Sequence, residues 1–218
     1  MAELGFDKFM AEFVLPWEGA RGEDGGYTND SGDPGGETKW GVSKRSYPNL
    51  DIPHLTKQFV LQNVYFLDYW LKSGRQKSYC DALPHPVNLA HLDCVVNVGN
   101  WKTAKDGTPV WHGRANMILQ IALGVDDDGY LGPQSLAAIA GADPLTLAVR
   151  AIDQRDLYYA GRLELPGANL AGSWADKYRG GWRNRTTALR RYLGLPPCDP
   201  SLFTRLASLP VAPHEGSL

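Results

Sequence analysis

Phe6-Asp7-Lys8-Phe9-Met10-Ala11-Glu12-Phe13-Val14-Leu15-Pro16-Trp17-Glu18 opens the part of the chain that decides its fold. Apolar side chains fall at Phe6, Phe9, Met10, Phe13, Val14 and Trp17, the i, i+3, i+4, i+7 spacing of one buried helical face. Pro16 removes a backbone donor in the last turn and is expected to break or kink the helix there, which leaves Glu18 at or just past its end. The next stretch changes character. Gly19, Gly22, Gly25, Gly26, Gly32, Gly35, Gly36 and Gly41, with Asn29, Asp30, Asp33 and Pro34, make a turn-rich run with room only for short β-hairpin segments around Tyr27 and from Lys39 to Val42.

Beyond it the helical period returns at Leu55, Phe59, Val60, Asn63, Leu67, Trp70 and Leu71. Further helices are predicted over Val87–Val96, Arg114–Leu123, Pro133–Ala140, Leu145–Leu163 and Ser173–Leu193, separated by Pro and Gly. The chain therefore reads as mainly α with one small β-like flap. Its 218 residues, 43% of them hydrophobic, suit one domain or one domain with a small appendage. After Leu195, Pro196-Pro197-Cys198-Asp199-Pro200 and then Pro210 and Pro213 predict an extended tail.

Composition excludes several classes. A net charge of −2 gives no reason to expect a nucleic-acid partner. Charge is uneven along the chain: residues 1–48 carry nine acids and five bases, whereas residues 150–193 carry nine bases and four acids. The second block reads either as a solvated helix face or as a surface that attracts an anionic polymer. Cys80, Cys94 and Cys198 are odd in number and form no C-x-x-C pair, so neither a disulfide framework nor a zinc ribbon is readable, and reduced, mostly buried thiols are expected. No run approaches the ~20 apolar residues of a membrane span, so stable membrane insertion is not expected. The acidic start, Met1-Ala2-Glu3-Leu4-Gly5-Phe6-Asp7, lacks the basic and apolar regions of a secretory leader. Synthesis in the cytoplasm without an export address is the expectation.

The chemistry concentrates around Glu18. A glutamate at a helix end beside Trp17 has its charged form disfavoured by desolvation, so it is expected to hold a proton that it can deliver. A carboxylate on the glycine-rich turn stays ionised, because backbone N–H groups and water solvate it. Two acids in different environments are what glycosidic cleavage requires, one protonating the leaving oxygen and the other steering water or stabilising an oxocarbenium-like transition state.

The order of residues narrows this further. Val14-Leu15 and Glu18, then Gly25-Gly26-Tyr27 and Asn29-Asp30-Ser31-Gly32-Asp33-Pro34-Gly35-Gly36-Glu37-Thr38-Lys39-Trp40-Gly41-Val42-Ser43, resemble the N-terminal signature of the glycoside hydrolase family 108 muramidases. That signature is a helix ending V-L-x-x-E-G-G-Y, followed by N-D-x-x-D-P-G-G-x-T-x-x-G-I-[ST]. Asp93-Cys94-Val95-Val96-Asn97-Val98-Gly99 is similar to the family's D-x-x-x-N-x-G. Leu119 to Gly124 and Asp128 to Ser135 are similar to its L-Q-x-A-L-G and D-G-x-x-G-P-x-[ST]. Arg155 to Tyr159 and Gly181 to Arg185 resemble R-x-x-[FY]-Y and G-W-x-x-R. The likeness spans roughly residues 6–193 in one order. One departure stands out: six residues, Ala20 to Gly25, intervene between Gly19 and Gly26-Tyr27, so anchoring from the glycines puts the acid at Glu23 instead of Glu18. Glu18 is preferred, because a catalytic acid needs rigid, partly apolar support, while Glu23 beside Asp24 lies in a soft acidic loop.

The resemblance implies a mainly α, lysozyme-like, two-lobed helical domain with a small β-hairpin flap. Residues 1–92 would form the catalytic segment, 93–193 a peptidoglycan-binding segment packed into the same body, and 194–218 the tail. It implies Asp33 as the ionised partner and Thr38 as the hydroxyl that holds the attacking water, with Ser43 nearby. Asp30 competes for the carboxylate role, and both it and Asp33 read equally as Asx-turn residues. Tyr27 and Asn97 are candidate sugar contacts, the ring for an apolar sugar face and the amide for an acetamido group, although Asn97 also suits a turn cap.

The function implied is hydrolysis of the β-1,4 bond between N-acetylmuramic acid and N-acetylglucosamine by a monomeric phage endolysin. Its partners would be peptidoglycan glycan strands. It would reach the wall in the periplasm after a holin opens the membrane, and bacterial lysis would follow. No metal or organic cofactor is implied. The rival from another class is a non-catalytic wall-binding or morphogenetic protein of the same fold. A cysteine amidase using Cys94 with a histidine is a second rival. Asp126-Asp127-Asp128-Gly129 lacks the twelfth-position glutamate of a calcium loop, where Ala137 stands, and reads as a helix-connecting turn. His91 and Cys94 share a helical face with no second ligand pair, so buried packing is expected of them.

Overall fold

The apolar stripe that begins at Phe6 forms a helix, but not an α-helix throughout. α1 (Ala2–Phe9) runs into a π-helical turn, Met10–Val14, and then into a short α2 (Leu15–Trp17). The Leu15 N–H reaches five residues back to the Met10 carbonyl. In an α-helix the Pro16 ring would clash with the carbonyl four residues earlier and leave it without a donor. A π turn moves that bonding by one residue and widens the helix, so Pro16 is accommodated without a break. The helix ends at Trp17, where the Glu18 N–H closes it on the Val14 carbonyl at 3.0 Å.

The structure, a computed structural model, describes residues 2–19, 22, 24–30, 35–103, 109–163, 165, 173–199 and 201, with residues 2–4, 102, 103, 109 and 173–177 described by their backbone alone. These residues are mainly helical with two small antiparallel ribbons, the lysozyme-like class expected. Contacts divide the chain into two units, Met1–Asp81 with Trp101–Trp111, and Ala82–Asn100 with His112–Leu218.

In the first unit, Phe6, Phe9, Met10, Phe13, Val14 and Leu15 are buried. The Phe6 ring meets Phe66 and Trp70, each at 5.3 Å. The second helical segment starts at α3 (Lys57–Val60), where the Thr56 hydroxyl accepts the Phe59 N–H at 3.2 Å as an N-cap. It continues as a π-helix, Leu61–Trp70. Burial follows the wider turn: Val60, Val64, Tyr65 and Trp70 are inside, while Phe59 and Leu67, which an α period turns inward, are exposed. β1 (Thr38–Lys39) and β2 (Val42–Ser43) form the predicted flap, with Thr28 bridged to Thr38. Trp40 and Gly41 join the strands, both with positive φ (54° and 74°), as a two-residue I′ hairpin requires. A second ribbon, β3 (Trp101–Thr103) with β4 (Pro109–Trp111), was not expected; Trp101 faces Trp111 across it.

The second unit is built on α4 (Val87–Asn97), α5 (Arg114–Leu123), α6 (Pro133–Gly141), α7 (Pro144–Tyr159) and α8 (Ser173–Tyr192). All five predicted helices are present. α7 packs against α4, α5 and α8. α4 is buried from Leu89 to Val95 without a polar face, as a central helix must be. The Asp126-Asp127-Asp128-Gly129 stretch is a turn between α5 and α6: Asp128 Oδ1 accepts Gln120 Nε2 and the Tyr130 N–H, each at 2.8 Å. Leu195 is buried, with its N–H on the Arg190 carbonyl at 2.8 Å; the tail from residue 202 lies outside the described residues.

The basic block 150–193 does not form one solvated face. Arg155, Arg185 and Arg190 are buried and paired with acids of their own unit. Arg150, Arg162, Arg183 and Arg191 are exposed.

Candidate active site

Glu18 is the C-cap of α2, half-buried, with φ −80° and ψ 10°. Its side chain lies over the tip of the β1–β2 hairpin. A Cβ built on Gly41 would stand 3.1 Å from Glu18 Cβ, 3.6 Å from Glu18 Cγ and 2.5 Å from the Tyr65 hydroxyl oxygen. The absence of a side chain at position 41 is therefore what lets the helix end, the hairpin and Tyr65 meet.

The hairpin tip is held from both sides. The Tyr65 O–H donates to the Trp40 carbonyl at 3.1 Å, and the buried Trp40 indole N–H donates to the Leu55 carbonyl at 3.3 Å. Trp40 sits at positive φ, a sparsely populated conformation for a bulky residue, and these bonds fix it there. The Trp40 N–H also bonds the Gly25 carbonyl at 2.8 Å. A Cβ on Gly25 would fall 2.2 Å from the indole ring, so only glycine fits against that face.

Behind Glu18 lies a tyrosine network. Burial chiefly pushes the Tyr69 phenol up; Glu18 and Asp68 add to this, and a hydrogen bond with Tyr47 and the Arg75 charge oppose it. The Tyr47 O–H donates to Asp68 Oδ2 at 2.7 Å, the Arg75 guanidinium lies 5.4 Å from the Tyr47 ring centre, and Arg75 Nη1 donates to the Ser46 carbonyl at 3.1 Å. The reading of the sequence missed Tyr47, Tyr65 and Tyr69. The i, i+4 spacing of Tyr65 and Tyr69 was the one signal available, and their rings stand 5.4 Å apart.

The other sequence candidates are distributed as follows. Thr38 and Ser43 are directly opposite in register, so their side chains share one face of the ribbon. The Thr38 hydroxyl donates to the Gly36 carbonyl at 3.2 Å, and the Ser43 hydroxyl donates to Ser46 Oγ at 3.1 Å. Tyr27 is exposed and its O–H donates to Glu37 Oε1 at 3.1 Å, which makes Glu37 a further carboxylate on the flap that the sequence reading did not single out. Asp30 is exposed. Asp33 and Glu23 lie outside the described residues.

Asn97 belongs to the second unit and accepts a hydrogen bond from the Tyr159 O–H. It sits in a buried cluster that gathers three of the dispersed motifs. Asp93 is fully buried between Arg155, whose Nη1 donates at 2.6 Å, and Arg185, whose Nη2 and Nε donate at 2.6 and 3.0 Å. Arg155 Nε also donates to the Tyr159 oxygen at 2.8 Å, and Trp182 stacks on Tyr159 at 4.8 Å. Two more motifs meet at Gln120, which donates through Nε2 to Asp128, the Tyr130 carbonyl and Ser135, and accepts the Gly129 N–H at 2.8 Å. Much of the C-terminal likeness is thus carried by buried polar bonds that hold the fold.

Cys94 and His91 are buried, as expected. Burial pushes the Cys94 thiol up to about 11, and His91 Nε2 is 3.1 Å from Asn116 Oδ1. Asp153, Asp156 and Cys198 bring three ligand-type atoms within 4.8 Å of one another. Arg190 Nη2 already answers their charge, 2.6 Å from Asp153 and 3.6 Å from Asp156.

Comparison with known proteins follows the same lines. Among solved structures, the chain is similar to Brucella abortus SagA, with 24% identity and a TM-score of 0.62 over 88% of this chain and 94% of that one. This likeness shows the fold. No curated protein sequence matches the chain. The family model described as Glycosyl hydrolase 108 matches residues 11–99, a span that contains Glu18, the hairpin and α4. Over residues 11–99 the chain is therefore similar to the glycosyl hydrolase 108 family, a match that supports a glycoside hydrolase.

Proposed function

We propose that the protein is a peptidoglycan hydrolase, an N-acetylmuramidase that cleaves the β-1,4 bond between N-acetylmuramic acid and N-acetylglucosamine. The observation that carries this reading is Glu18, a half-buried carboxyl at a helix end, packed on the Gly41 turn and backed by the buried Tyr65 and the half-buried Tyr69. In this mechanism Glu18 is the general acid that protonates the glycosidic oxygen as the bond breaks. Asp33, with Asp30 as its competitor, is the carboxylate that stabilises positive charge on the sugar or activates water. Thr38 orients that water, its own proton being engaged by the Gly36 carbonyl, which leaves its lone pairs to accept. Ser43 and Tyr27 contact the glycan. The stereochemical outcome follows the separation of the two carboxyl groups, about 5 Å for retention and roughly 6.5–9.5 Å for inversion.

The biological setting belongs to the same proposal. The enzyme acts as a monomer on the glycan strands of the bacterial wall, reaching them after a holin permeabilises the membrane, and lysis results. No helix among the described residues is long and apolar enough to cross a membrane. Expression in cells with and without a co-expressed holin tests the setting, since lysis without one would overturn it.

The activity itself is tested by new reducing ends released from purified peptidoglycan. Wild type is active and Glu18→Gln is not; loss in Glu23→Gln with activity kept in Glu18→Gln would move the acid to position 23. Release of free amino groups instead would favour the amidase, a reading that the buried, high-pKa Cys94 thiol does not support. Glycan binding without any product would favour the non-catalytic wall-binding protein.

A further inference from the structure

A cavity of about 770 Å³ opens in the first unit beside α2 and the hairpin. Its floor is apolar, formed by the buried side chains of Leu15, Trp40 and Leu55. Its rim is basic: Lys39, Lys57 and His54 line it, and no carboxylate is among the described residues that do. Lys39 Nζ donates to the Pro53 carbonyl at 2.6 Å, which fixes the ammonium at the rim and leaves further protons for a ligand. Lys57 is exposed at the first turn of α3. His54 is 2.9 Å from Asp51, outside the lining, so the two lysines set the sign of the site.

The position matters as much as the charge. Leu15 lies one turn before Glu18 on the same helix, and Trp40 directly precedes Gly41, on which the Glu18 side chain rests. The cavity thus shares two of its walls with the elements that hold the candidate acid. An apolar floor with a cationic rim fits a short peptide whose small alkyl side chains alternate with carboxylates. A bare neutral sugar would leave the two ammonium groups of the rim without a counter-charge.

We infer that this cavity takes the carboxylate-bearing peptide attached to the muramyl residue of the substrate, so that the enzyme reads the peptide as well as the sugars. This inference rests on the muramidase reading above. Lys39 and Lys57 pair with peptide carboxylates while Trp40 and Leu55 cover the alkyl groups. Because the pairs sit at an open rim, the contribution falls as salt rises.

The experiment compares intact peptidoglycan strands with strands whose peptides have been removed enzymatically. Wild type is expected to cleave intact strands with about tenfold higher kcat/KM. Lys57→Glu is expected to remove most of that advantage through KM while leaving cleavage of bare strands unchanged. Equal cleavage of both substrates by wild type, or an equal loss on both in Lys57→Glu, would overturn the inference while leaving the muramidase reading intact. Inactivity on both substrates would instead sink that reading. The cavity is then judged by titrating a soluble muramyl peptide and following the Trp40 indole N–H by NMR. Binding lost in Lys57→Glu and in Lys39→Met supports the inference; no binding, or equal response to a chitooligosaccharide, rejects it.

Discussion

Glu18 rests on Gly41: any β-carbon at position 41 would come within 3.1 Å of Glu18 Cβ and 2.5 Å of the Tyr65 hydroxyl. The backbone there has φ +74°, which an L side chain rarely adopts. Gly41→Ala is therefore expected to lose about 1–3 kcal/mol of stability and to displace either the acid or the tyrosine. Denaturant unfolding measures the first effect. Reducing-end release measures the second, with activity expected to fall at least about tenfold; a fully active Gly41→Ala protein would show that this contact does not position Glu18.

Glu18→Gln keeps the shape of the side chain and removes the acid. Its activity on purified peptidoglycan is expected to fall by roughly 10²–10⁴, the range of general acid catalysis. Its melting temperature should stay within a few degrees of wild type. A large loss of stability would instead assign Glu18 a structural role.

Asp93 answers two buried guanidinium groups, and its removal strands both. Asp93→Asn is expected to destabilise the protein by about 3–5 kcal/mol, the range for breaking a buried ion pair by taking one partner. The same residue sets an acid limit. Burial pushes its carboxyl up, but Arg185 and Arg155 outweigh this and hold it below the usual carboxylate range. A lowered folded pKa means that the stabilisation is complete above the unfolded value, near about pH 4, and is lost as pH falls through the folded value. Urea midpoints taken between about pH 7 and pH 2 should drop steeply at the acid end in wild type. They should drop less in Asp93→Asn, and an unchanged slope would contradict the assignment.

The three cysteines should separate by reactivity. Cys80 and Cys94 are buried and Cys198 is partly exposed, so iodoacetamide is expected to label Cys198 alone in the folded protein and all three after denaturation. Cys94→Ser should retain glycan cleavage, since the proposed chemistry does not use the thiol. Rapid labelling of Cys94 under native conditions would revive the amidase.

How much of this was visible in the residues depends on how far apart the partners lie. The helix ending at Glu18, the flap at Thr38 to Ser43 and the five helices of the second unit were legible, because each is written in local periodicity and in the glycines and prolines between. The pairing of Asp93 with Arg155 and Arg185 was not, since its partners stand 62 and 92 positions away and no period marks them. Those arginines consequently read as surface charge. Tyr65 escaped notice for a different reason: in a π-helix the buried residues follow Val60, Val64, Tyr65 and Trp70, and an α template selects Phe59 and Leu67 instead. The ribbon from Trp101 to Trp111 was announced only by the turn dipeptide Asp106-Gly107, which the reading of the sequence passed over.

The π turn at Met10–Val14 fixes the compass bearing of the proposed acid. Such a turn accommodates one residue more than a regular turn, and each residue advances an α-helix by about 100° around its axis. Glu18 consequently leaves the helix at an azimuth that the preceding apolar stripe, extrapolated in α-helical steps, does not point to. Excising a single residue between Met10 and Val14 would preserve every motif in the chain and still swing the carboxyl away from the turn at Gly41.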